Sequence, residues 1–122
     1  MIIDIIAGAR PNFMKIAPII EAIETAKSNG ENINYRLVHT GQHYDNKMSG
    51  DFFTQLGIPE PHLNLGAGGG SQAEQTAAIM IGYEKAIFDQ RPDLVLVVGD
   101  VTSTMACSVT AKKMNNITVA HV

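Results

Sequence analysis

Two cations near the start of the chain could hold an anionic ligand. Arg10 and Lys15 lie in segment 8–15, which contains no carboxylate. A guanidinium can donate two hydrogen bonds to phosphate or carboxylate oxygens, and an ammonium adds a point charge. The pair is therefore suited to binding a diphosphate. The alternative is that both are ordinary surface charges. Gly8 and Pro11 indicate a shaped turn rather than a generic solvated face, which favours the ligand-binding interpretation.

A single carboxylate, Asp100, stands just beyond the most aliphatic segment of the chain, Leu94–Val98. Partial desolvation raises the pKa of a carboxylate in such a position and suits it to proton transfer, whereas a nearby cation lowers that pKa. Asp100 could instead cap the next helix. Because Thr102 or Ser103 can provide that cap, the sequence favours a functional role for Asp100.

Segment 40–44 places an amide, an imidazole and a phenol close together, including Gln42 and His43. These groups can bind a base or sugar hydroxyls, and His43 can become charged near neutral pH. They could equally cap the following helix, and residue types alone leave both interpretations open. His39 and His62 fall in strand-like segments, where we expect them to be packed or exposed without a functional role.

Other chemistry-bearing features favour structural interpretations. Segment 66–70 holds four glycines but no following lysine and no dinucleotide-binding spacing, so a flexible connector is favoured over an anion-binding loop. Cys107 has no histidine near it in the sequence, and we expect it to be buried. The sequence shows no zinc or calcium ligand set and no serine-histidine-acid arrangement, so no metal or other cofactor is expected.

Composition limits the class of protein. The 122 residues, 45% hydrophobic and 17% charged, suffice for one domain. Nine basic against 12 acidic residues give a net charge of −3, which argues against nucleic acid or an anionic membrane as partner. One cysteine fits a reducing compartment, and the longest aliphatic run is far below the roughly 18 residues of a membrane helix. We therefore expect a cytoplasmic protein.

The elements that must position these residues alternate between two patterns. Apolar β-branched runs predict strands, and segments with apolar residues every three or four positions predict helices, which indicates a parallel α/β sheet. The predicted strands are 2–7, 35–40, 62–65, 94–98 and 117–122, and the predicted helices are 12–29, 44–56, 71–90 and 102–114. In such a sheet, ligands bind beyond the carboxyl ends of the strands, so segments 8–15, 40–46, 66–72 and 99–104 are the candidate site loops.

Two helices carry more specific expectations. Pro18 lies inside the first and predicts either a loose turn over 12–16 or a kink. Ser71 and Glu74 form a capping-box pattern at the start of the third. Five residues of this third helix have the spacing of a core-facing side: Ile79, Met80, Tyr83, Ile87 and Phe88.

The motifs taken together resemble the amino-terminal part of a UDP-N-acetylglucosamine 2-epimerase, and the resemblance covers the whole chain in order. The segments that carry it are GARPNFMKIAP at 8–18, TGQHYD at 40–45, MS at 48–49, FF at 52–53, EQT at 74–76, PDLVLV at 92–97, GD at 99–100 and VAHV at 119–122. Each motif alone is weak, whereas the set is specific.

The resemblance implies a Rossmann-like domain that forms one half of a GT-B-type two-domain enzyme. Such enzymes interconvert UDP-GlcNAc and UDP-ManNAc without an added cofactor, by elimination of UDP and its re-addition after proton exchange at C2, and feed polysaccharide synthesis. The family also tends to dimerise, which implies a homodimer of the full-length protein. A hydrolysing relative that releases ManNAc and UDP, and a nucleotide-sugar-binding module without turnover, are the alternatives.

By motif, the resemblance assigns nucleotide-sugar binding to Arg10 and Lys15, catalysis to Asp100, and a second, regulatory UDP-GlcNAc site to Gln42 and His43. The chain stops on its last predicted strand, before the glutamate motif and the UDP-binding domain of the family. We therefore expect residues 1–122 to be an incomplete amino-terminal domain that is catalytically silent by itself.

Overall fold

The parallel α/β architecture is confirmed. The computed structural model describes residues 1–41, 50–99 and 102–122. Its strands are β1 (Ile2–Ala7), β2 (Asn34–His39), β3 (Leu63–Asn64), β4 (Leu94–Val97) and β5 (Thr118–His121). Its helices are α1 (Arg10–Ser28), α2 (Gly50–Leu56), α3 (Gln72–Asp89) and α4 (Thr102–Lys113).

The strand order places two of the candidate loops beside each other. All pairings among the described strands are parallel, in the order β3-β2-β1-β4-β5. Strands β2 and β3 lie on one side of β1, and strands β4 and β5 lie on the other. The order therefore reverses between β1 and β4, and in open α/β sheets ligands bind in the crevice at this switch point.

Helix α1 differs from its prediction. It begins at Arg10 rather than at residue 12, and it continues without interruption through Pro18, so the loose turn over 12–16 was wrong. Pro11 lies in the first turn, where a missing N–H costs nothing because that amide has no partner inside the helix. Farther along, Phe13, Ile16 and Ile20 are fully or almost fully buried, and this packing outweighs the hydrogen bond lost at Pro18.

Helix α3 follows the predicted start but not the whole predicted face. The Ser71 hydroxyl accepts a hydrogen bond from the Glu74 amide and the Glu74 carboxylate accepts one from the Ser71 amide, which confirms the capping box. Tyr83 and Ile87 are buried as predicted. Phe88 was wrongly assigned to the core, since 76% of it is exposed.

Two apolar layers lie on opposite faces of the sheet. One joins α1 to the sheet and includes Phe13, Ile16, Ile20, Leu37 and Phe53. The other joins α3 and α4 to the sheet and includes Ile79, Tyr83, Val95, Ala106 and Cys107. Strand β4 is central as predicted, but its alternate residues are only half-buried, so it is fully covered on one face alone.

A buried ion pair lies inside the second layer. Asp4 on β1 is fully buried and receives two hydrogen bonds from Arg36 on β2, at 2.8 and 2.7 Å. The Tyr83 hydroxyl donates a third, at 2.7 Å. Burial alone lowers the pKa of Arg36, but the hydrogen bonds and charge of Asp4 outweigh it and raise that pKa. Burial, followed by the charge of Asp4, raises the pKa of Tyr83.

No helix among the described residues is long and apolar enough to cross a membrane.

Candidate functional site

The carboxyl ends of β1, β2 and β4 meet the start of α4 at one edge of the sheet, which we call the carboxyl edge. A Cβ added at Gly8, after β1, would lie 2.7 Å from the Thr40 Oγ1 and 3.0 Å from the Ser103 Oγ. The loop after β1 therefore passes so close to these two hydroxyls that only glycine fits. Thr40 is fully buried, and its Oγ1 has no hydrogen-bond partner within the described residues.

Asn12 lies between the two loops of the switch point. Its Oδ1 accepts hydrogen bonds from the amides of Gly8, at 3.0 Å, and Ala9, at 3.1 Å. On the other side, a Cβ at Gly99 would lie 3.8 Å from its Nδ2. Asn12 thus occupies the amides of the two residues that precede α1, so a ligand at this end of the helix cannot use those two donors. Asn12 lies within the motif at 8–18 but had no predicted role; its position three residues after the N-cap is the signal that could have indicated one.

Gly99 is held in turn by the last strand. Its amide donates to the Val122 carbonyl at 3.2 Å, and its carbonyl contacts the His121 Nε2. Gly99 has a φ of 72°, which an L side chain rarely adopts. The backbone at Gly99 is therefore held by the end of β5, and the Asn12 side chain lies near it.

Arg10 and Lys15 lie on different sides of α1. Arg10 is the first helical residue and is exposed, next to the carboxyl edge. Lys15 is also exposed, and five residues of helix separate the two by about 140° around the axis. Lys15 follows Asn12 by one turn and precedes Ile19, which lines a groove with Leu96 of β4. Its side of the helix is therefore the β4 side, toward the switch point.

Three predicted site residues cannot be placed. Gln42, His43 and Asp100 lie outside the described residues. Asp100 directly follows Gly99 in the sequence, and Gln42 directly follows Gly41. Their proposed roles therefore stay predictions.

Part of the glycine-rich segment, around Ala67 and Gly68, packs against the end of β2 rather than forming a flexible connector. The amide of Ala67 donates to the Thr40 carbonyl at 2.9 Å, and Ala67 is only 2% exposed. A Cβ at Gly68 would lie 2.7 Å from the carbonyl oxygen of Gly41. The composition suggested flexibility, whereas the absence of side chains here allows two backbones to pack directly against each other.

Two histidines have structural partners. The Nδ1 of His39 accepts a hydrogen bond from the Gly41 amide at 2.7 Å, and its ring contacts that of Phe13 at 5.2 Å. The Nδ1 of His62 accepts from the Leu37 amide at 3.0 Å. His39 is buried and His62 is exposed, so each falls within the prediction that these residues are packed or exposed.

Cys107 is buried as predicted, and burial, followed by the charge of Asp4, raises the pKa of its thiol. This disfavours the reactive thiolate. Among residues 1–41, 50–99 and 102–122, no group of three histidine, cysteine or acidic side chains could hold a metal ion.

Replacing Asn12 by alanine is expected to lower the free energy of unfolding by about 2 kcal/mol, because two amides lose their acceptor in a buried position. Asn12→Asp keeps an acceptor oxygen and should lose less. Chemical denaturation followed by circular dichroism measures both. Asn32→Ala, at an exposed asparagine, is the control and should change stability by less than about 0.5 kcal/mol. Equal losses for the alanine and aspartate variants would contradict the role of Oδ1.

The strand order β3-β2-β1-β4-β5 is that of a Rossmann-like α/β domain. Its candidate site lies at the carboxyl edge, at the switch point between β1 and β4. The sequence profile described as UDP-N-acetylglucosamine 2-epimerase matches residues 25–122. The chain belongs to this family.

Individual relatives match nearly the whole chain. The UDP-N-acetylglucosamine 2-epimerase of Methanocaldococcus jannaschii is 40% identical over 122 residues, which is 100% of this chain and 32% of the relative. Its crystal structure in complex with UDP-GlcNAc and UDP matches with a TM-score of 0.89. The UDP-2,3-diacetamido-2,3-dideoxy-D-glucuronate 2-epimerase of Pseudomonas aeruginosa is 40% identical over 117 residues, 96% of this chain and 32% of the relative. The chain thus spans about a third of the length of these relatives.

Proposed function

We propose that this chain forms the amino-terminal lobe of an enzyme that interconverts UDP-GlcNAc and UDP-ManNAc. The observation that carries the proposal is the geometry of the switch point. Asn12 holds the turn that presents Arg10 through the amides of Gly8 and Ala9, and its side chain lies near Gly99, the residue before Asp100 in the sequence. The family match over residues 25–122 supports the same chemistry.

The proposed reaction inverts the configuration at C2 through an elimination. A base removes the C2 proton while the C1–O bond breaks, so UDP leaves with the bonding electrons and a 2-acetamidoglucal remains. A proton is then delivered to the opposite face of C2, and UDP adds back at C1. Protons and charge balance without an oxidant or reductant, so no cofactor is required. Asp100 is one of the carboxylates proposed to move the proton.

Arg10 and Lys15 are proposed to bind the nucleotide-sugar. Charge on the departing diphosphate grows as the C1–O bond breaks, so cations near it stabilise the transition state more than the bound substrate. Arg10 lies at the carboxyl edge, and Lys15 lies on the β4 side of the same helix. Gln42 and His43 are proposed to bind a second, regulatory UDP-GlcNAc.

The chain alone is proposed to be inactive, because it corresponds to about a third of each relative. The test joins these 122 residues to the remaining part of the M. jannaschii relative and follows UDP-GlcNAc by proton NMR in D2O. The joined protein should form UDP-ManNAc with deuterium at C2, and the separate chain should form none. Conversion by the separate chain would contradict the single-lobe proposal.

The same spectra distinguish the alternatives. Free ManNAc in place of UDP-ManNAc would indicate a hydrolysing enzyme. A folded protein that binds UDP-GlcNAc without any exchange at C2 would indicate a binding module. The identity to the P. aeruginosa relative favours a second sugar as well, UDP-2,3-diacetamido-2,3-dideoxy-D-glucuronate, which differs away from C2. Faster exchange with that sugar would reassign the substrate while retaining the 2-epimerase reaction.

A further inference from the structure

The backbone just beyond β4 is held by two other elements, α4 and β5. The Thr104 hydroxyl, in the first turn of α4, donates a hydrogen bond to the Val98 carbonyl at 2.7 Å. The Gly99 amide donates to the Val122 carbonyl at 3.2 Å, and the His121 Nε2 contacts the Gly99 carbonyl. Three consecutive backbone groups after β4 therefore have partners on other elements.

The conformation of Gly99 depends on such partners. Without a Cβ, a glycine adopts positive and negative φ about equally readily, so its own sterics do not select one of them. The observed φ of Gly99 is 72°. The hydrogen bonds from α4 and β5 are therefore what selects this conformation from the others that are open to the residue.

The contact made by the His121 ring is separate from the pairing of β5 with β4. That pairing uses backbone groups, such as the Val122 amide, which donates to the Val97 carbonyl at 2.9 Å. His121 is exposed, so little apolar burial depends on its ring. Because a carbonyl oxygen only accepts hydrogen bonds, the Nε2 is the donor. The ring therefore contributes a directed contact with Gly99 rather than packing.

We propose that His121, together with Thr104, is a positioning residue for the proton transfer at C2. The proposal rests on the proposed function, in which Asp100 moves that proton. The Gly99 carbonyl belongs to the planar peptide unit that joins Gly99 to Asp100, so a group that holds this carbonyl restricts rotation of that unit. Asp100 lies outside the described residues, and the proposal concerns the peptide unit from which it starts.

The contacts favour an indirect role for His121 over proton transfer by its own ring. Its Nε2 donates to a backbone carbonyl, so this nitrogen is not free to take up or deliver the C2 proton. A displacement of about 1 Å at a reacting group can cost about 10²-fold in rate. The proposed diphosphate-binding cations lie on α1, away from this contact. Loss of the contact should therefore slow exchange at C2 without weakening the binding of UDP-GlcNAc.

The test uses these 122 residues joined to the rest of the M. jannaschii relative, with NMR for deuterium incorporation at C2 and calorimetry for binding. His121→Phe keeps a planar ring but has no donor. It should slow exchange by about 10- to 100-fold and leave the affinity for UDP-GlcNAc within about threefold. His121→Gln provides an amide donor near the place of the Nε2 and should keep the rate within about threefold. Thr118→Val, at an exposed residue of β5, is the control and should change neither quantity.

Thr104 gives a second, independent pair of variants. Thr104→Val keeps the shape of the side chain without its hydroxyl and should slow exchange about tenfold, again with binding retained. Thr104→Ser keeps the hydroxyl and should restore the rate. Nitrogen NMR of the unsubstituted chain tests the contact itself, because in the neutral His121 ring the Nε2 rather than the Nδ1 should carry the proton.

The outcomes separate this proposal from the proposed function. An active joined protein in which His121→Phe exchanges within threefold of the unsubstituted rate would overturn the positioning role and leave the epimerase reaction intact. So would equal losses for His121→Phe and His121→Gln, since the donor would then not be what matters, or a proton on the Nδ1. Thr104→Val at the full rate would remove Thr104 from the proposal. An unsubstituted joined protein without exchange would reject the proposed function, and the positioning role with it.

Discussion

Arg36→Met is expected to lower the free energy of unfolding by about 3–5 kcal/mol, the cost of leaving a buried charge without its partner. Asp4 is fully buried, and Arg36 provides two of the three side-chain hydrogen bonds that its carboxylate accepts among the described residues. Tyr83 alone cannot neutralise the carboxylate, because a tyrosine hydroxyl carries no positive charge. Burial, followed by the charge of Asp4, raises the pKa of Tyr83, so it remains a hydrogen-bond donor. Methionine preserves the apolar length of the side chain, so the variant isolates the loss of charge and hydrogen bonds.

Urea denaturation at neutral pH measures this effect. Arg91→Met, at an exposed arginine whose guanidinium binds the Met114 and Asn115 carbonyls at the end of α4, is the matched control and should lose about 1 kcal/mol. The double variant Asp4→Leu with Arg36→Met should be more stable than Arg36→Met alone, because no charge remains buried. Equal stability of the single and double variants would show that packing, rather than the buried charge, sets the loss.

The strands could be predicted closely from local pattern. Strand β1 was predicted at its observed bounds because an apolar run ends at Gly8, which has to be glycine beside Thr40 and Ser103. The buried pair of Asp4 and Arg36 had no such signal. The two residues face each other only because β1 and β2 pair in parallel register, and register between distant segments does not follow from either segment alone.

Helix periodicity identifies a face but not what covers that face. Phe88 has the spacing of a buried residue and yet is exposed, because α3 has apolar residues on its outer side as well as toward the sheet. Composition was equally ambiguous for segment 66–70, where glycines that suggested flexibility pack against Gly41. In both places the missing information was the neighbouring surface.

The candidate site depended on the order of the strands more than on any motif. Arg10 and Gly99 are far apart in the sequence, and only the adjacency of β1 and β4 brings the turn after β1 close to the end of β4. General rules for parallel sheets predicted this edge, whereas the roles that the motifs assign to Asp100, Gln42 and His43 stay predictions. The link through Asn12 was missed, since an asparagine in the first turn of a helix has many local uses.

Asp100→Asn in the protein joined to the M. jannaschii remainder is expected to slow deuterium incorporation at C2 by about 10²–10⁴-fold, the range for a lost acid or base group. The amide keeps the size of the side chain but cannot take up or release the proton. Binding of UDP-GlcNAc should stay within about threefold, because the proposed cations, Arg10 and Lys15, remain.

Calorimetry for binding and NMR for exchange separate these two effects. Asp89→Asn, at an exposed aspartate on α3, is the control and should leave the exchange rate unchanged. Arg10→Met should show a different pattern, with binding weakened and exchange slowed, because the proposed cation binds the diphosphate in the substrate and stabilises its greater charge in the transition state. An Asp100→Asn variant that exchanges within tenfold of the unsubstituted rate would remove this carboxylate from the proton transfer, and the base would have to come from the second lobe.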